Sequence, residues 1–223
     1  MENNKDENKN KVFGSVIIIG IFIALIFFLS QNKIEEKPVN VNDNAIIRNE
    51  HILGNPNAEI IIIEYSDTEC PYCKNFHLTM NNIIKENGAN VAWVYKHYPI
   101  TQLHQKAFRE SLATECAWDQ GGDEMFWKYI NILFEITPSN DGLEDEELYN
   151  IAKELNLDMP SFELCLSDQK FKEKVETDMT DGEIMGVEGT PTSFILKNGK
   201  VVDIIQGAQP FNIVQEKINK LLE

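Results

Sequence analysis

Hydrophobic and polar positions divide the chain into four zones. Residues 1–11 are polar and rich in Asn and Lys, and residues 12–29 form an uncharged apolar run. Residues 30–48 are again polar, whereas residues 49–223 alternate between strand-like and helix-like patterns. The pattern therefore predicts one folded domain at 49–223, preceded by a short tail, an apolar segment and a linker.

The apolar run at 12–29 is a candidate membrane-spanning helix. As a helix it would be about 27 Å long, close to the hydrocarbon thickness of a bilayer. A cleaved signal peptide is the competing interpretation, but the run is longer than usual, and Ser30-Gln31-Asn32 lacks the small-x-small pattern of a cleavage site. We expect an uncleaved transmembrane anchor, with 1–11 as a cytoplasmic tail and 30–48 as a linker.

The first part of the domain predicts a β-α-β unit. Ile60 to Tyr65 is an apolar run typical of a buried strand, and Val91 to Tyr95 is a second one. Between them, apolar residues at spacings of three and four predict a helix that ends near Asn87-Gly88. A strand, helix and strand in this order imply a parallel pair, and residues 51–54 are expected as a short edge segment before it.

The next part, about 102–186, has a helical period and no predicted strand. A first amphipathic stripe begins at Leu103 and is stopped by Gly121-Gly122. Three further helices are expected at about 126–134, 143–155 and 168–185, with a short turn at 161–166.

The end of the chain returns to strands. Thr192 to Leu196 and Val201 to Ile205 flank Asn198-Gly199, a dipeptide typical of two-residue β-hairpin turns. Apolar positions from Phe211 onward then predict a terminal amphipathic helix.

Hydrophobic content and net charge bear on which classes of protein are possible. Of the 223 residues, 43% are hydrophobic, which is enough for a genuine core. The formal net charge of −16 argues against non-specific nucleic-acid binding, so no nucleic-acid partner is expected.

The candidate chemistry lies in Cys70-Pro71-Tyr72-Cys73, where the first predicted strand meets the helix. Proline suits the first helical position, which places Cys70 at the N-cap and Cys73 one turn inside. The N–H groups and dipole of a helix N-terminus favour an anion, so Cys70 is the predicted nucleophile and Cys73 the resolving thiol.

A structural disulfide or half a zinc site is the alternative reading of this pair. Cys116 and Cys165 are isolated and do not form the second CxxC that such a zinc site needs, so no metal site and no cofactor are predicted.

Several separated features of the domain form one combination. The dithiol follows the first core strand, an acidic residue precedes it by six positions, and a Thr-Pro loop follows the helical insert. The residues concerned are Cys70 to Cys73, Glu64, Gly189-Thr190-Pro191-Thr192, and the stretch from Cys116 through Gln120 to Phe126-Trp127 and Leu133-Phe134. Together, over about residues 49–222, they resemble the membrane-anchored DsbA-like disulfide oxidoreductases.

The resemblance implies an α/β thioredoxin-like fold with an inserted all-helical subdomain, after one N-terminal transmembrane helix. It implies that Glu64 lies beneath the dithiol and assists proton transfer, against the alternative that strand alternation exposes it. It also implies a cis Thr190-Pro191 bond beside Cys70, although most X-Pro bonds are trans. Substrate is then expected to contact Pro71, Tyr72, Thr190 and Pro191.

The remaining cysteines and the histidines receive structural interpretations. Cys116 and Cys165 are expected to be joined to each other, against the alternative of two buried free thiols. His77, His97 and His104 show no local pattern of a metal cluster, and no catalytic role is assigned to them.

The leading hypothesis is a single-pass membrane enzyme, expected to be a monomer, whose catalytic domain lies outside the cytoplasm, where redox disulfides belong. It would transfer disulfides to cysteine-containing exported proteins, and the resemblance implies reoxidation by a quinone-linked membrane partner. The Pro71-Tyr72 dipeptide is the one usual in glutaredoxins, so a reductase or isomerase stays open. A non-enzymatic peptide-binding chaperone on the same fold is the other alternative.

Overall fold

The computed structural model describes residues 50–223. The apolar run at 12–29, the tail before it and the linker up to residue 48 lie outside the described residues. Within 50–223, no helix combines the length and the apolar character needed to cross a membrane. The elements in chain order are β1 (His51–Gly54), β2 (Ile60–Ser66), α1 (Pro71–Asn87), β3 (Val91–His97), α2 (Ala107–Ile136), α3 (Asp145–Glu154), α4 (Met159–Ser167), α5 (Lys172–Met185), β4 (Thr192–Lys197), β5 (Lys200–Gln206) and α6 (Phe211–Leu222).

The five strands form one mixed sheet in the order β1-β3-β2-β4-β5. The pair β2 and β3 is parallel, as the β-α-β pattern predicts, and the other neighbours are antiparallel. The central strand β2 is buried on both faces, which is why it reads as a continuous apolar run instead of an alternating one.

Separate clusters of apolar residues cover the two faces of the sheet. On one face, Ile60 and Ile62 pack with Phe76 and Met80 of α1 and with Val214 of α6. The opposite face has a smaller cluster that includes Ile63, Tyr65 and Val187. The sheet therefore carries the end of β2, and the thiols that follow it, between two covered faces.

The hairpin of β4 and β5 turns at Asn198-Gly199, as the dipeptide predicts. Both residues have positive φ, 52° and 69°, the conformation of a type I′ turn. This hairpin places β4 beside β2, where it brings the preceding Thr-Pro loop to the carboxyl end of β2.

The helical insert differs from its prediction in three places. Leu103 is 68% exposed and precedes α2, which begins at Ala107, so its assignment to the buried stripe is wrong. The expected turn at 161–166 is a complete helix, α4, capped by the Asp158 side chain, which accepts from the Ser161 N–H. The last helix of the insert begins at Lys172 and not near Asp168.

Gly121 and Gly122 divide α2 into two helical segments that meet at a kink. Their φ/ψ angles are not helical, and those of Gly122 (62°, −155°) belong to a region that is open almost only to glycine. The first helical segment therefore stops where the sequence predicts, and the second continues to Ile136.

The insert has its own core, separate from the clusters at the sheet. Residues of α2 to α5 pack there, and a disulfide joins Cys116 of α2 to Cys165 of α4 across 49 positions. The expected pairing of these two cysteines is therefore present in the structure.

Candidate active site

The turn between β2 and α1 presents the dithiol. Cys70 is the N-cap of α1 with extended φ/ψ (−77°, 121°), and Pro71 opens the helix. The Cys70 N–H donates to the Asp67 carbonyl at 3.2 Å, and the Cys70 carbonyl accepts from the Lys74 N–H at 3.1 Å. The backbone of Cys70 is thus held on both sides, with its side chain at the positive end of the helix.

The two thiols are free and have unlike environments. Cys70 is 5% exposed, whereas Cys73 is fully buried. A hydrogen bond from the Cys73 thiol is the main cause that lowers the pKa of Cys70 to about 6, against the opposing effect of burial. Burial raises the pKa of Cys73 well above its usual value. Cys70 is therefore the thiol that ionises near neutral pH, and Cys73 holds its proton.

The Thr-Pro loop lies against Cys70. The Thr190-Pro191 bond is cis, as expected from its sequence context, and the Cys70 thiol donates to the Thr190 carbonyl at 3.5 Å. A side chain built at Gly189 would meet nothing within 4 Å, so the space beside the loop is open.

Glu64 lies in β2, between Tyr95 of β3 and Ser193 of β4 in the sheet register. It is fully buried, because α1 covers the face of the sheet that it shares with Ile60 and Ile62. Burial raises the pKa of Glu64 to about 8, so its carboxyl is uncharged at neutral pH. When Glu64 is ionised, its negative charge repels the Cys73 thiolate and further raises the pKa of Cys73.

The residues between the cysteines face solvent. Tyr72 is 64% exposed and Pro71 is half-buried. Large exposed apolar side chains beside a reactive atom are suited to contact with a protein or peptide.

A buried acidic residue that the sequence did not single out organises the active-site turn. The Asp67 carboxylate accepts from the Glu69 N–H at 2.9 Å and from the Ile100 N–H at 2.7 Å. It also binds the His104 ring at 2.9 Å, across 37 positions of the chain. No short-range pattern could have indicated this contact.

A second unforeseen group is a pair of buried glutamates next to Cys70. Burial, together with a hydrogen bond to Glu69, raises the pKa of Glu110 to about 9. The Glu69 carboxylate accepts from the Thr137 hydroxyl and the Gly142 N–H, both at 3.3 Å. Glu110 is therefore protonated at neutral pH, and Glu69 ties the α2–α3 loop to the active-site turn.

A third cluster lies away from the thiols and joins β1, β3 and α2. The Glu115 carboxylate binds the rings of His51 at 2.6 Å and His97 at 2.9 Å, and all three residues are buried. Their donor atoms lie within 4.8 Å of one another, near enough to surround a metal ion, and the two short contacts are those of direct hydrogen bonds. Burial lowers the pKa of His51, but the charge of Glu115 and hydrogen bonding to Asp123 and Glu115 together outweigh it and raise this pKa, so the cluster forms a buried ion pair.

Comparison with known proteins gives a family. The family Thioredoxin_4, described as Thioredoxin, matches residues 47–219. This span includes the sheet, the dithiol and the whole helical insert.

A curated relative is the Na(+)/H(+) antiporter NhaA 1 of Mycobacterium sp. (strain KMS), which is 30% identical over 153 residues. The match covers 68% of this chain but only 24% of the antiporter, so the chain spans about a quarter of the length of this relative. The similarity is to that quarter and does not extend to the rest of the antiporter.

Two solved structures have the same fold. DsbA2 of Pseudomonas aeruginosa is 25% identical with a TM-score of 0.64, and the match covers 77% of this chain and 94% of DsbA2. Oxidised BdbD from Bacillus subtilis is 22% identical with a TM-score of 0.67, covering 78% of this chain and 93% of BdbD.

Proposed function

Because this chain belongs to the family Thioredoxin_4 and is a DsbA-like disulfide oxidoreductase, we propose that it donates disulfides to cysteine-containing proteins outside the cytoplasm. The observation that carries the direction of transfer is the contrast between the two thiols. The pKa of Cys70 is lowered to about 6, and that of buried Cys73 is raised. A stable Cys70 thiolate stabilises the reduced form, which makes the oxidised form a stronger oxidant.

The reaction begins with the disulfide form of the protein. A substrate thiolate attacks the Cys70 sulfur, the bond between Cys70 and Cys73 breaks, and Cys73 leaves as a thiolate. Because the pKa of Cys73 is high, it takes up a proton, and the uncharged Glu64 carboxyl is the buried acid that supplies it.

The second step releases the product. A second substrate thiolate attacks the substrate sulfur of the mixed disulfide, forms the substrate disulfide and displaces Cys70. Cys70 leaves easily, since a thiol of low pKa is a good leaving group. The protein is then a dithiol and has gained the two electrons that the substrate lost.

The substrate-binding part of the proposal rests on the surface around Cys70. Thr190 lies against the thiol, the space at Gly189 is open, and Tyr72 is exposed beside it. An extended peptide placed along the loop of Thr190 and Pro191 would present its cysteine to Cys70 and its apolar side chains to Tyr72.

The location and the redox partner also belong to the proposal. The disulfide of Cys116 and Cys165 is typical of proteins outside the cytoplasm, and the apolar run at 12–29 would hold the domain at the outer face of a membrane. A quinone-linked membrane protein would then reoxidise the dithiol.

Equilibration against glutathione tests the direction. The full chain should carry Cys116→Ala and Cys165→Ala, so that the measured reduction potential is that of the Cys70 and Cys73 pair alone. A reduction potential of about −120 mV is expected for a disulfide donor, whereas a value of about −270 mV would assign the protein to the reductases. In the same assay the oxidised protein should introduce disulfides into a reduced, unfolded test protein, and Cys70→Ser should not.

A further inference from the structure

We propose that His104, held by Asp67, is a positioning residue for Cys70 and that its imidazolium stabilises the Cys70 thiolate. The proposal rests on the proposed function, because Cys70 must be a stable thiolate when it leaves the mixed disulfide. The sequence assigned no role to this histidine.

Asp67 links the histidine to both cysteines. Its backbone N–H donates to the Cys73 sulfur at 3.4 Å, and its carbonyl accepts from the Cys70 N–H at 3.2 Å. Its side chain binds the Nδ1 atom of His104 at 2.9 Å. A single buried residue thus contacts the two reactive residues through its backbone and the histidine through its carboxylate.

The burial of Asp67 gives the reason for a positive charge on His104. Asp67 is fully buried, and a buried carboxylate needs a partner of opposite charge or several hydrogen bonds. It accepts two backbone N–H groups, and the residue of opposite charge within ion-pair distance is His104. Protonation of His104 therefore completes the neutralisation of Asp67.

The backbone holds His104 in place before α2 begins. Its N–H donates to the Ile100 carbonyl at 2.9 Å, and its carbonyl accepts from the Ala107 N–H at 3.4 Å. Its side chain is 9% exposed, so the ring cannot turn freely into solvent.

The charged groups that face His104 come from three parts of the fold. Asp67 lies in the β2–α1 turn, Cys70 at the start of α1, and Asp141 in the α2–α3 loop. All three are negative when ionised. Two nearby lysines direct their ammonium groups to other acceptors, Lys106 to the Leu143 carbonyl and Lys74 to the carbonyls of Glu135 and Thr137.

The balance of these effects favours the imidazolium. Burial lowers the pKa of His104, but the hydrogen bond and charge of Asp67, with the charges of Cys70 and Asp141, outweigh it and raise the pKa. With the pKa of Cys70 lowered to about 6, thiolate and imidazolium coexist from about pH 6 until His104 loses its proton.

Thermodynamic linkage makes the proposal testable from both residues. If the imidazolium stabilises the thiolate, the thiolate must stabilise the imidazolium by the same free energy. The pKa of His104, followed by NMR of its ring proton in the wild-type full chain, should be higher in the dithiol form than in the disulfide form. The pKa of Cys70, followed by thiolate absorbance, should rise by the same amount in His104→Gln.

We expect a change of about 1 in both pKa values, the lower end of the shift that a nearby opposite charge produces. His77→Gln is the matched control, because His77 is also a buried histidine near the dithiol but is neutral: burial lowers its pKa to about 4. It should leave the pKa of Cys70 unchanged.

One result would overturn the proposal: a His104 pKa that is the same in the dithiol and disulfide forms. This NMR comparison uses the wild-type protein, so it stands even if His104→Gln fails to fold. The outcome is also separable from the direction of transfer. A reduction potential of about −270 mV with linked pKa values would reject the role as disulfide donor but retain the role of His104. A potential of about −120 mV with unlinked pKa values would support the disulfide donor but reject the role of His104.

Discussion

The Cys70 sulfur lies 3.5 Å from the carbonyl oxygen of Thr190, a residue 120 positions later in the chain. The contact exists because β4, which follows Thr190, pairs with β2, which precedes Cys70. The antiparallel register sets the start of β4 beside the end of β2, so the Thr-Pro loop and the thiol share one edge of the sheet.

The first prediction concerns the Thr190 side chain. Its hydroxyl is buried without a hydrogen-bond partner among residues 50–223 in the dithiol form, and its proximity contributes to the lowered pKa of Cys70, after the larger effect of Cys73. Thr190→Val, which keeps the shape and removes the donor, should raise the pKa of Cys70 by about 0.5. Thiolate absorbance against pH measures it, with Thr180→Val on α5 as a surface control. An unchanged titration would show that the hydroxyl makes no contact with the thiolate.

The second prediction concerns proton transfer by Glu64. Glu64→Gln keeps the size of the side chain but cannot exchange a proton with Cys73. Turnover of a reduced peptide should fall by roughly a hundredfold, the lower end of the range for general acid–base catalysis. The initial alkylation rate of Cys70 should change little. Identical pH–rate profiles for variant and wild type would exclude the proposed proton transfer.

The third prediction is a pH-dependent gain of stability in the same variant. The folded pKa of Glu64 is about 8, above its ordinary value of 4.5, so the folded state binds more protons between these values. Wild-type stability should therefore fall as pH rises from 4.5 to 8, by up to about 1.4 kcal/mol per pH unit from this group. Denaturant unfolding should show Glu64→Gln more stable than wild type at pH 8, with little difference at pH 4.5. Glu163→Gln, at an exposed position on α4, is the control.

The fourth prediction concerns the disulfide of the insert. Replacing Cys116 and Cys165 by Ala removes a crosslink across 49 positions. Loop-closure entropy puts the loss in unfolding free energy at roughly 4 kcal/mol as an upper value. Because the pair lies in the core of the insert and not in that of the dithiol, activity per folded molecule should stay near wild type. Loss of activity without loss of stability would contradict this separation.

The fifth prediction concerns the cluster of His51, His97 and Glu115. Among the described residues, Glu115→Gln leaves buried His51 with only the partly exposed Asp123, 3.6 Å away, as counter-charge and should cost about 3 kcal/mol. The ionised Glu115 has a lowered pKa, so its contribution is present above about pH 4.5. The raised pKa of His51 means that its contribution fades as pH rises above 6.5.

The loss in Glu115→Gln should consequently be largest between about pH 4.5 and 6.5 and smaller at pH 8. Urea unfolding at pH 5.5 and pH 8 measures the difference, with Glu124→Gln, an exposed residue of α2, as control. An equal loss at both pH values would mean that the cluster is held by hydrogen bonds without charge.

The strands and the dithiol helix follow closely from local patterns. The apolar run at Ile60, the Asn198-Gly199 turn and the proline after Cys70 each act over a few residues, so the predicted elements and the structure agree there. The start of α2 did not follow, because an apolar residue such as Leu103 can lie in an exposed loop before a helix.

By itself, the sequence determined the order of the elements, the position of the two thiols at a helix N-terminus and the apolar strand beneath them. These features depend on interactions between neighbours in the chain, which propensity and periodicity record. Only the tertiary structure decided that Glu64 is buried, that Asp67 binds His104 and that Glu110 meets Glu69. The partners in these contacts lie tens of residues apart, and burial by distant elements, which no local pattern contains, sets their charge states.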